Sequence, residues 1–304
     1  MNKVLIALQG PLNNETLNCA KTFLFMKFDL IMICWQDKYS YQINYEPLQV
    51  DFIDDPKSMP TKDGVRSINT MRQIVSNRYL LKKYGQDYQY IIKLRNDLKI
   101  INRNLFLKQV YRSIKKNKIW TININTTSPR LFTPALLPYH VSDWMFGGTP
   151  NQLKKYLQLN DIEEKNLVVR KPREFNNLIF WRNAQNEQVI WSLLWSKNRS
   201  NNMPKLLINK PFEESSLLRS IKYASYLNQK FFITAFRESG LQSIKYKCNL
   251  RNWYSNTYNL FILNKTECFL INNGFIKLLL LYPPIFRFIV YKFRFFISKR
   301  PLRF

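Results

Sequence analysis

The chain has 304 residues, 46% of them hydrophobic, which is enough for one large domain, or for one domain with a small appendage. It has 47 Lys or Arg against 20 Asp or Glu, and its net charge of +27 predicts an anionic partner such as nucleic acid, anionic lipid or a phosphate-bearing substrate. The 4 cysteines form no CxxC pair and there is 1 histidine, which argues against a disulfide framework, a zinc site and a Ser-His-Asp triad. A bound metal would be a hard cation on oxygen ligands.

The N-terminal apolar run, residues 4–8, is too short for a signal-peptide core and predicts the first strand of a parallel sheet. Gly10-Pro11 follows it, where a nucleotide often binds in α/β folds. No segment has 18 uninterrupted apolar residues, so the sequence predicts no transmembrane helix and a cytoplasmic location.

Apolar periodicity then predicts alternating strands and helices. Strands are expected at residues 29–35, 48–53, 90–98 and 119–124, and helices at residues 15–28, 65–83, 102–116, 149–159 and 183–195, with Thr149 as N-cap and Pro150 as first residue of the 149–159 helix. This order predicts an α/β fold with a Rossmann-type, mainly parallel sheet flanked by helices. Residues 126–139 hold three prolines and are expected to be a loop.

The predicted helix over residues 65–83 has two contrasting faces. The apolar residues share one face: Ile68, Met71, Ile74, Val75 and Tyr79. Two arginines, two amides and a serine, with no acid, lie within about 120° on the other: Arg66, Asn69, Arg72, Gln73 and Ser76. Such a face suits an anion site, and it is also compatible with a solvent-exposed helix.

The predicted strand over residues 90–98 is apolar in its body and ends in Arg95, Asn96 and Asp97. Ligands of open α/β sheets bind at the carboxyl ends of the strands, so Asp97 is expected at the rim of a crevice, able to hold a cation or a sugar hydroxyl. A strand that simply enters a solvated turn would show the same pattern. A later apolar segment, residues 140–148, contains Asp143 and ends in a glycine pair.

Four stretches in this order resemble the WavE family of lipopolysaccharide-synthesis proteins: Gly10-Pro11, the helix over residues 66–76, Lys93-Leu94-Arg95-Asn96-Asp97-Leu98, and Ser142-Asp143-Trp144-Met145-Phe146-Gly147. That family carries an Asn-x-x-Arg-Gln-Ile helix, a Lys-Leu-Arg-Ser-Asp-Leu strand end and an Asp-Trp-Phe-Phe-Gly segment. Glu187-Gln188 on a later helix is also similar. The resemblance covers roughly residues 1–200.

The resemblance implies a GT-A-like glycosyltransferase fold and a nucleotide-sugar donor. In that fold an Asp-x-Asp strand end holds Mn²⁺ or Mg²⁺ against the donor diphosphate, so Asp97 is the candidate metal ligand here. Arg95 replaces the other carboxylate and Asn96 stands where the family commonly has Ser. Arg95 would neutralise phosphate charge directly, as arginine forks do, so dependence on a divalent metal is left open.

The candidate donor-binding residues on these motifs are Gly10, Pro11, Asn69, Arg72, Gln73, Lys93, Arg95 and Asn96. Arg72 and Arg95 are expected to stabilise the leaving diphosphate. Trp35 and Trp144 are candidates for stacking on a base or a sugar, although packing in the core would explain both.

The candidate catalytic carboxylates are Asp97, Asp143 and Glu187. An inverting transfer needs a carboxylate base for the acceptor hydroxyl. Asp143 is the preferred base, because an acid within an apolar run is costly to bury unless it is used or paired. A structural aspartate that hydrogen-bonds beside a turn is the alternative.

The sequence changes character after residue 240. Residues 1–240 are predicted to form the GT-A-like domain and residues 241–304 a basic, aromatic C-terminal region. Residues 284–304 hold six Lys or Arg and no acid, which predicts peripheral contact with anionic lipid at the inner face of the cytoplasmic membrane. A last helix or strand packed on the domain is the alternative.

The leading interpretation is a glycosyltransferase of bacterial surface-glycan synthesis, acting on a lipid-linked or lipopolysaccharide-core acceptor. A basic nucleic-acid-binding protein is one alternative, although the sequence has no RNA- or DNA-reading motif. A non-catalytic glycan-assembly factor that keeps the fold is the other.

Overall fold

The computed structural model describes residues 3–36, 43–56, 60–61, 64–65, 68–124, 126, 141–157, 216–244 and 265–276. The strands in this part of the chain are β1 (Val4–Gln9), β2 (Asp29–Trp35), β3 (Gln49–Ile53), β4 (Pro60–Thr61), β5 (Gly64–Val65), β6 (Tyr90–Arg95), β7 (Leu98–Ile100), β8 (Ile119–Ile122), β9 (Met145–Gly148), β10 (Phe231–Thr234) and β11 (Leu241–Ser243). The helices are α1 (Asn14–Lys21), α2 (Ile68–Tyr84), α3 (Arg103–Lys116), α4 (Pro150–Leu157), α5 (Ser216–Lys230) and α6 (Lys265–Asn272).

Seven strands form one sheet in the order β10-β8-β9-β6-β1-β2-β3. β9 runs antiparallel to both of its neighbours, and the other strand pairs in this sheet are parallel. β7 and β11 form a separate antiparallel pair, as do β4 and β5. The predicted α/β architecture with a mainly parallel sheet is therefore confirmed.

The strands at the centre of the sheet are buried on both faces, which is why they read as continuous apolar runs. Every residue of β1 is buried. Leu5 and Ala7 join a core cluster with side chains of α2, α4, α5 and α6, whereas Ile6 and Leu8 join a second cluster with α1 and α3. The helices thus cover both faces of the sheet.

Two of the predicted helix starts are confirmed by their caps. The Asn102 side chain accepts a hydrogen bond from Leu105 N at the start of α3, at 3.0 Å. Thr149 and Gln152 exchange side-chain-to-backbone hydrogen bonds at the start of α4, with Pro150 as its first residue. These caps satisfy backbone N–H groups that have no partner within a helix.

The first helix is shorter than the predicted span of residues 15–28. α1 ends at Lys21, and the Thr22 hydroxyl then donates to Cys19 O at 2.7 Å. The following residues form turns that bury Phe23 and leave Phe25 exposed. Apolar spacing alone did not separate these turns from another helical turn.

The strand predicted over residues 90–98 is also divided: β6 ends at Arg95, and β7 begins at Leu98. The segment around residue 145, whose direction the sequence did not predict, forms the antiparallel strand β9. Its direction brings the start of β9, rather than its end, to the edge where β6 ends.

Parts of the predicted C-terminal region pack against the sheet. Ile244 N donates to Asp97 O at 3.0 Å, next to the β7/β11 pair. The Asn272 side chain at the end of α6 bonds both backbone groups of Ile233. The boundary at residue 240 stays a prediction, and residues 284–304 lie outside the described part of the chain.

No helix within the described ranges has the length and apolar character needed to cross a membrane. The predicted loop over residues 126–139, apart from Thr126, and the predicted helix over residues 183–195 fall outside these ranges.

Candidate functional site

The carboxyl ends of β1, β2, β3 and β6 meet at one edge of the sheet, because these strands are parallel neighbours. Gln9 at the end of β1 is opposite Arg95 on β6 and Ile33 on β2. α2 lies against this part of the sheet, and the Ser76 hydroxyl is 3.1 Å from Gln9 Oε1. Ser76 is 1% exposed, so this polar position of α2 faces the protein and not the solvent.

Gln73, Lys93 and Asp143 form a connected cluster beside Gln9. The Gln73 side-chain amide donates to Asp143 Oδ2 at 2.8 Å. Lys93 Nζ donates to the backbone oxygen of Asp143 at 2.5 Å and lies 5.2 Å from the centre of the Phe146 ring. Lys93 is 3% exposed, and a buried ammonium needs such partners to offset its desolvation. The helix motif, the strand-end motif and the Asp143 segment are thus brought together.

Arg95 and Asp97 form a two-pronged ion pair at the end of β6. Arg95 Nε is 3.0 Å from Asp97 Oδ1, and Arg95 Nη2 is 2.7 Å from Asp97 Oδ2. The guanidinium also lies over the Trp144 ring, 5.0 Å from its centre. Each partner neutralises the other, and both carboxylate oxygens of Asp97 are engaged.

Arg72 and Asp55 repeat this arrangement at the ends of β2 and β3. Arg72 Nε is 2.7 Å from Asp55 Oδ1, its Nη2 contacts Asp55 Oδ2, and the guanidinium lies 5.7 Å from the centre of the Trp35 ring. The hydrogen bond to Asp55 raises the pKa of Arg72 above its usual value, against the lowering effect of burial. The rings of Trp35 and Trp144 therefore each contact an arginine side chain whose orientation is fixed by a carboxylate.

Asp55 belongs to the candidate site through its contact with Arg72, although the sequence patterns did not indicate it. The only indication in the sequence was a carboxylate directly after a predicted strand. That carboxylate lies in Asp54-Asp55-Pro56, a pattern that is typical of an ordinary turn. Its importance comes from Arg72, 17 residues further along the chain.

Gly10, Pro11 and Asn96 join the ends of β1 and β6. The Asn96 side-chain amide donates to Pro11 O at 2.5 Å, and Asn96 N donates to Gln9 O at 3.0 Å. Gly10 has a φ of +149°, and a Cβ added there would lie 2.1 Å from Asn96 Oδ1. Only glycine therefore fits this junction, and the amide of Asn96 is used to hold the loop.

The described residues do not fit a divalent cation held by protein carboxylates. Arg95 occupies both oxygens of Asp97, and Arg72 occupies both oxygens of Asp55. Within the ranges that the structure covers, no three His, Cys, Asp or Glu side chains are grouped as a metal site would need. Positive charge at this edge comes from arginine and lysine.

Some predicted site residues are not described. Asn69 lies in the first turn of α2, but its side chain is outside the described part. Arg66 and Glu187-Gln188 are also outside it.

A family model described as WavE lipopolysaccharide synthesis matches residues 9–273, which is most of the chain. The match continues past residue 200, where the sequence resemblance ends, and includes α5, β10, β11 and α6. No curated protein matches the chain.

Proposed function

The chain belongs to the WavE lipopolysaccharide synthesis family, and we propose that it acts in that synthesis as a GT-A-like glycosyltransferase. It moves a sugar from a nucleotide-sugar donor to a lipid-linked or lipopolysaccharide-core acceptor. One observation carries the proposal: Gln73 on α2 bonds the carboxylate of Asp143, and Lys93 bonds its backbone, beside two arginines at the same sheet edge.

The proposed role of the two arginines is to bind the donor diphosphate. A guanidinium matches two phosphate oxygens with two parallel N–H groups, just as it matches a carboxylate. The bidentate contacts to Asp55 and Asp97 hold each fork in a fixed orientation before the donor arrives. Diphosphate oxygens then compete with these carboxylates for Arg72 and Arg95, and the charge of the leaving group is met by groups that are already oriented.

The proposed base is Asp143. In an inverting transfer its carboxylate takes the proton of an acceptor hydroxyl, and that oxygen attacks the anomeric carbon of the sugar. The bond from that carbon to the diphosphate breaks, and its electron pair leaves with the diphosphate. Gln73 orients Asp143 by its hydrogen bond to Oδ2, and Oδ1 is buried, so the role of base requires a movement that opens this oxygen to the acceptor. Glu187 stays a second candidate base.

We assign no step to Mn²⁺ or Mg²⁺, because Asp97, the candidate metal ligand, and Asp55 are both engaged by arginines. Asp97 is proposed to position Arg95 in place of the metal-ligand role that the family resemblance implies. Peripheral association with the inner face of the cytoplasmic membrane through residues 284–304 also remains a proposal.

The closed ion pairs also favour the second candidate, a non-catalytic glycan-assembly factor. If Asp55 and Asp97 never release Arg72 and Arg95, the two arginines serve the fold alone. This candidate predicts no stabilisation by any nucleotide sugar.

A thermal-shift screen of UDP-, GDP-, CMP- and dTDP-sugars, followed by a hydrolysis assay, tests the proposal. A ligand at 100 times its Kd adds about 2.7 kcal/mol to stability, which for a chain of this size raises Tm by roughly 4 °C. The shift should shrink in Arg72→Ala and Arg95→Ala and persist in Lys82→Ala, an exposed cation near the far end of α2. A screen in which no nucleotide sugar raises Tm contradicts the glycosyltransferase proposal.

A further inference from the structure

The outward face of α3 is cationic along its whole length. From Leu98 to Ile119 the chain has no Asp or Glu. The exposed cations of the helix are Arg103, Lys108, Arg112, Lys115 and Lys116. The opposite side of α3, with Phe106 and Val110, is buried in the core. The positive charge of α3 therefore lies on one surface of the protein, on the face of the sheet that α1 and α3 cover.

Three apolar side chains are exposed next to the start of this helix. Phe25 is 77% exposed, Ile101 61% and Leu24 38%. Their two loops touch, because Ile100 N donates to the Thr22 hydroxyl at 3.0 Å. The rings of Phe23 and Phe106 beneath them are 6.0 Å apart. The turn after α1 and the start of α3 thus form a continuous surface, called here the α3 surface, with apolar side chains at one end and cations along the rest.

The chemistry of this surface selects its partner. A helix that carries exposed cations and no acid of its own attracts any polyanion, including nucleic acid. Aliphatic and aromatic side chains in an exposed turn gain little from a sugar-phosphate backbone, but they gain from burial among lipid chains while cations contact lipid phosphates. We propose that the α3 surface docks on an anionic membrane, with Leu24, Phe25 and Ile101 inserted at the level of the headgroups.

This docking is independent of the proposed tail contact and of the proposed chemistry, but it suits both. β7 connects Asp97 directly to Ile101, over four residue steps of about 3.3 Å, so the two lie within roughly 13 Å of each other. If the transferase proposal holds, a docked α3 surface keeps the sheet edge near the membrane, where a lipid-linked acceptor is anchored.

Co-flotation of the full chain with vesicles tests the inference, using phosphatidylcholine alone and phosphatidylcholine mixed with phosphatidylglycerol. Two double variants separate the two parts of the surface. Arg103→Ser with Lys108→Ser should weaken binding to the anionic vesicles about 25-fold at low salt, since each cation contributes about fivefold. Phe25→Ser with Ile101→Ser should weaken it about tenfold or more, and this loss should persist at high salt.

The matched controls lie on the opposite face of the sheet. Phe269 on α6 is 58% exposed, and Lys82 on α2 is also exposed. Phe269→Ser and Lys82→Ser therefore remove an exposed aromatic ring and an exposed cation outside the α3 surface. Both variants should float like the parent chain. All of these side chains are exposed, so Tm should not change. The two double variants change different residues. If one of them has a lowered Tm, the flotation of the other still tests the proposal.

Parent protein that stays at the bottom of the gradient with anionic vesicles overturns the proposal. So does flotation that both double variants retain in full, which would locate the membrane contact elsewhere. Variants that float normally but lose retention on a nucleic-acid column would identify the α3 surface as a nucleic-acid site instead. A failure of the nucleotide-sugar screen would leave all of these outcomes unchanged.

Discussion

Replacing Asp97 by alanine distinguishes an arginine-based donor site from a metal-based one. The change removes both hydrogen bonds to Arg95, at 3.0 and 2.7 Å, and leaves a guanidinium that is 27% exposed. A charge-assisted contact contributes about 1.5–3 kcal/mol, and partial exposure and the remaining Trp144 contact reduce the net loss of stability to about 1–2 kcal/mol. For a chain of this size that lowers Tm by roughly 2–3 °C, so the protein stays folded.

The same change should separate donor binding from transfer. Without Asp97, Arg95 has no carboxylate competitor, so a nucleoside diphosphate should bind as tightly as before or more tightly. Transfer should fall about 100-fold or more, because Arg95 is no longer held in its reactive orientation and small misplacements are costly. Isothermal titration gives the first quantity and a sugar-transfer assay the second, each with and without EDTA.

A metal-based site gives the opposite pattern. If Asp97 were a ligand of Mn²⁺ or Mg²⁺, Asp97→Ala would lose nucleotide affinity together with transfer, and EDTA would abolish binding in the parent protein. Either result refutes the assignment of Asp97 as a positioning residue. Asp97→Asn, which keeps the shape and removes the charge, controls for loss of volume.

Three further predictions concern donor affinity, the β1–β6 junction and alkaline stability. Arg72→Ala should weaken donor binding by about 1.5–3 kcal/mol in isothermal titration, with Lys82→Ala unchanged; equal effects would show that the Arg72 side of the site is not used. Gly10→Ala should destabilise the fold by about 2 kcal/mol or more in urea unfolding, because the new Cβ would meet Asn96 at 2.1 Å; Gly274→Ala, also at positive φ but with 3.9 Å to the nearest atom, should cost less. Burial, followed by the hydrogen bond to Asp51, raises the pKa of Tyr84 to about 12, so the neutral phenol stabilises the fold below pH 10 and this contribution is lost as pH rises from 10 to 12. Tyr84→Phe should lose less stability over that interval, and identical pH profiles would contradict the assignment.

Local signals in the sequence determined most of the central fold. β2 occupies the predicted residues 29–35 without change, because its apolar run is long enough to define a buried strand. α3 begins after the predicted Asn102 and ends at the predicted Lys116, since a cap and a helical period both act over a few residues. The positions of the motif residues at strand ends followed from the same local patterns.

Contacts between distant segments were decided by the tertiary structure. Asp143 and Gln73 are 70 residues apart, and neither sequence pattern indicates the other. The partner of Arg72 is Asp55, whereas the sequence offered only phosphate as its partner. The direction of β9, which brings Asp143 to the edge where β6 ends, also depends on its pairing with β6 and β8.

The physical reason is the range over which each interaction acts. Backbone propensity, capping and apolar periodicity are satisfied within one element, so they can be read from a short stretch of sequence. A charged side chain can contact a distant partner only after the sheet has brought several strand ends to one edge. At this edge Arg72 and Arg95 form ion pairs with two carboxylates instead of remaining in solvent.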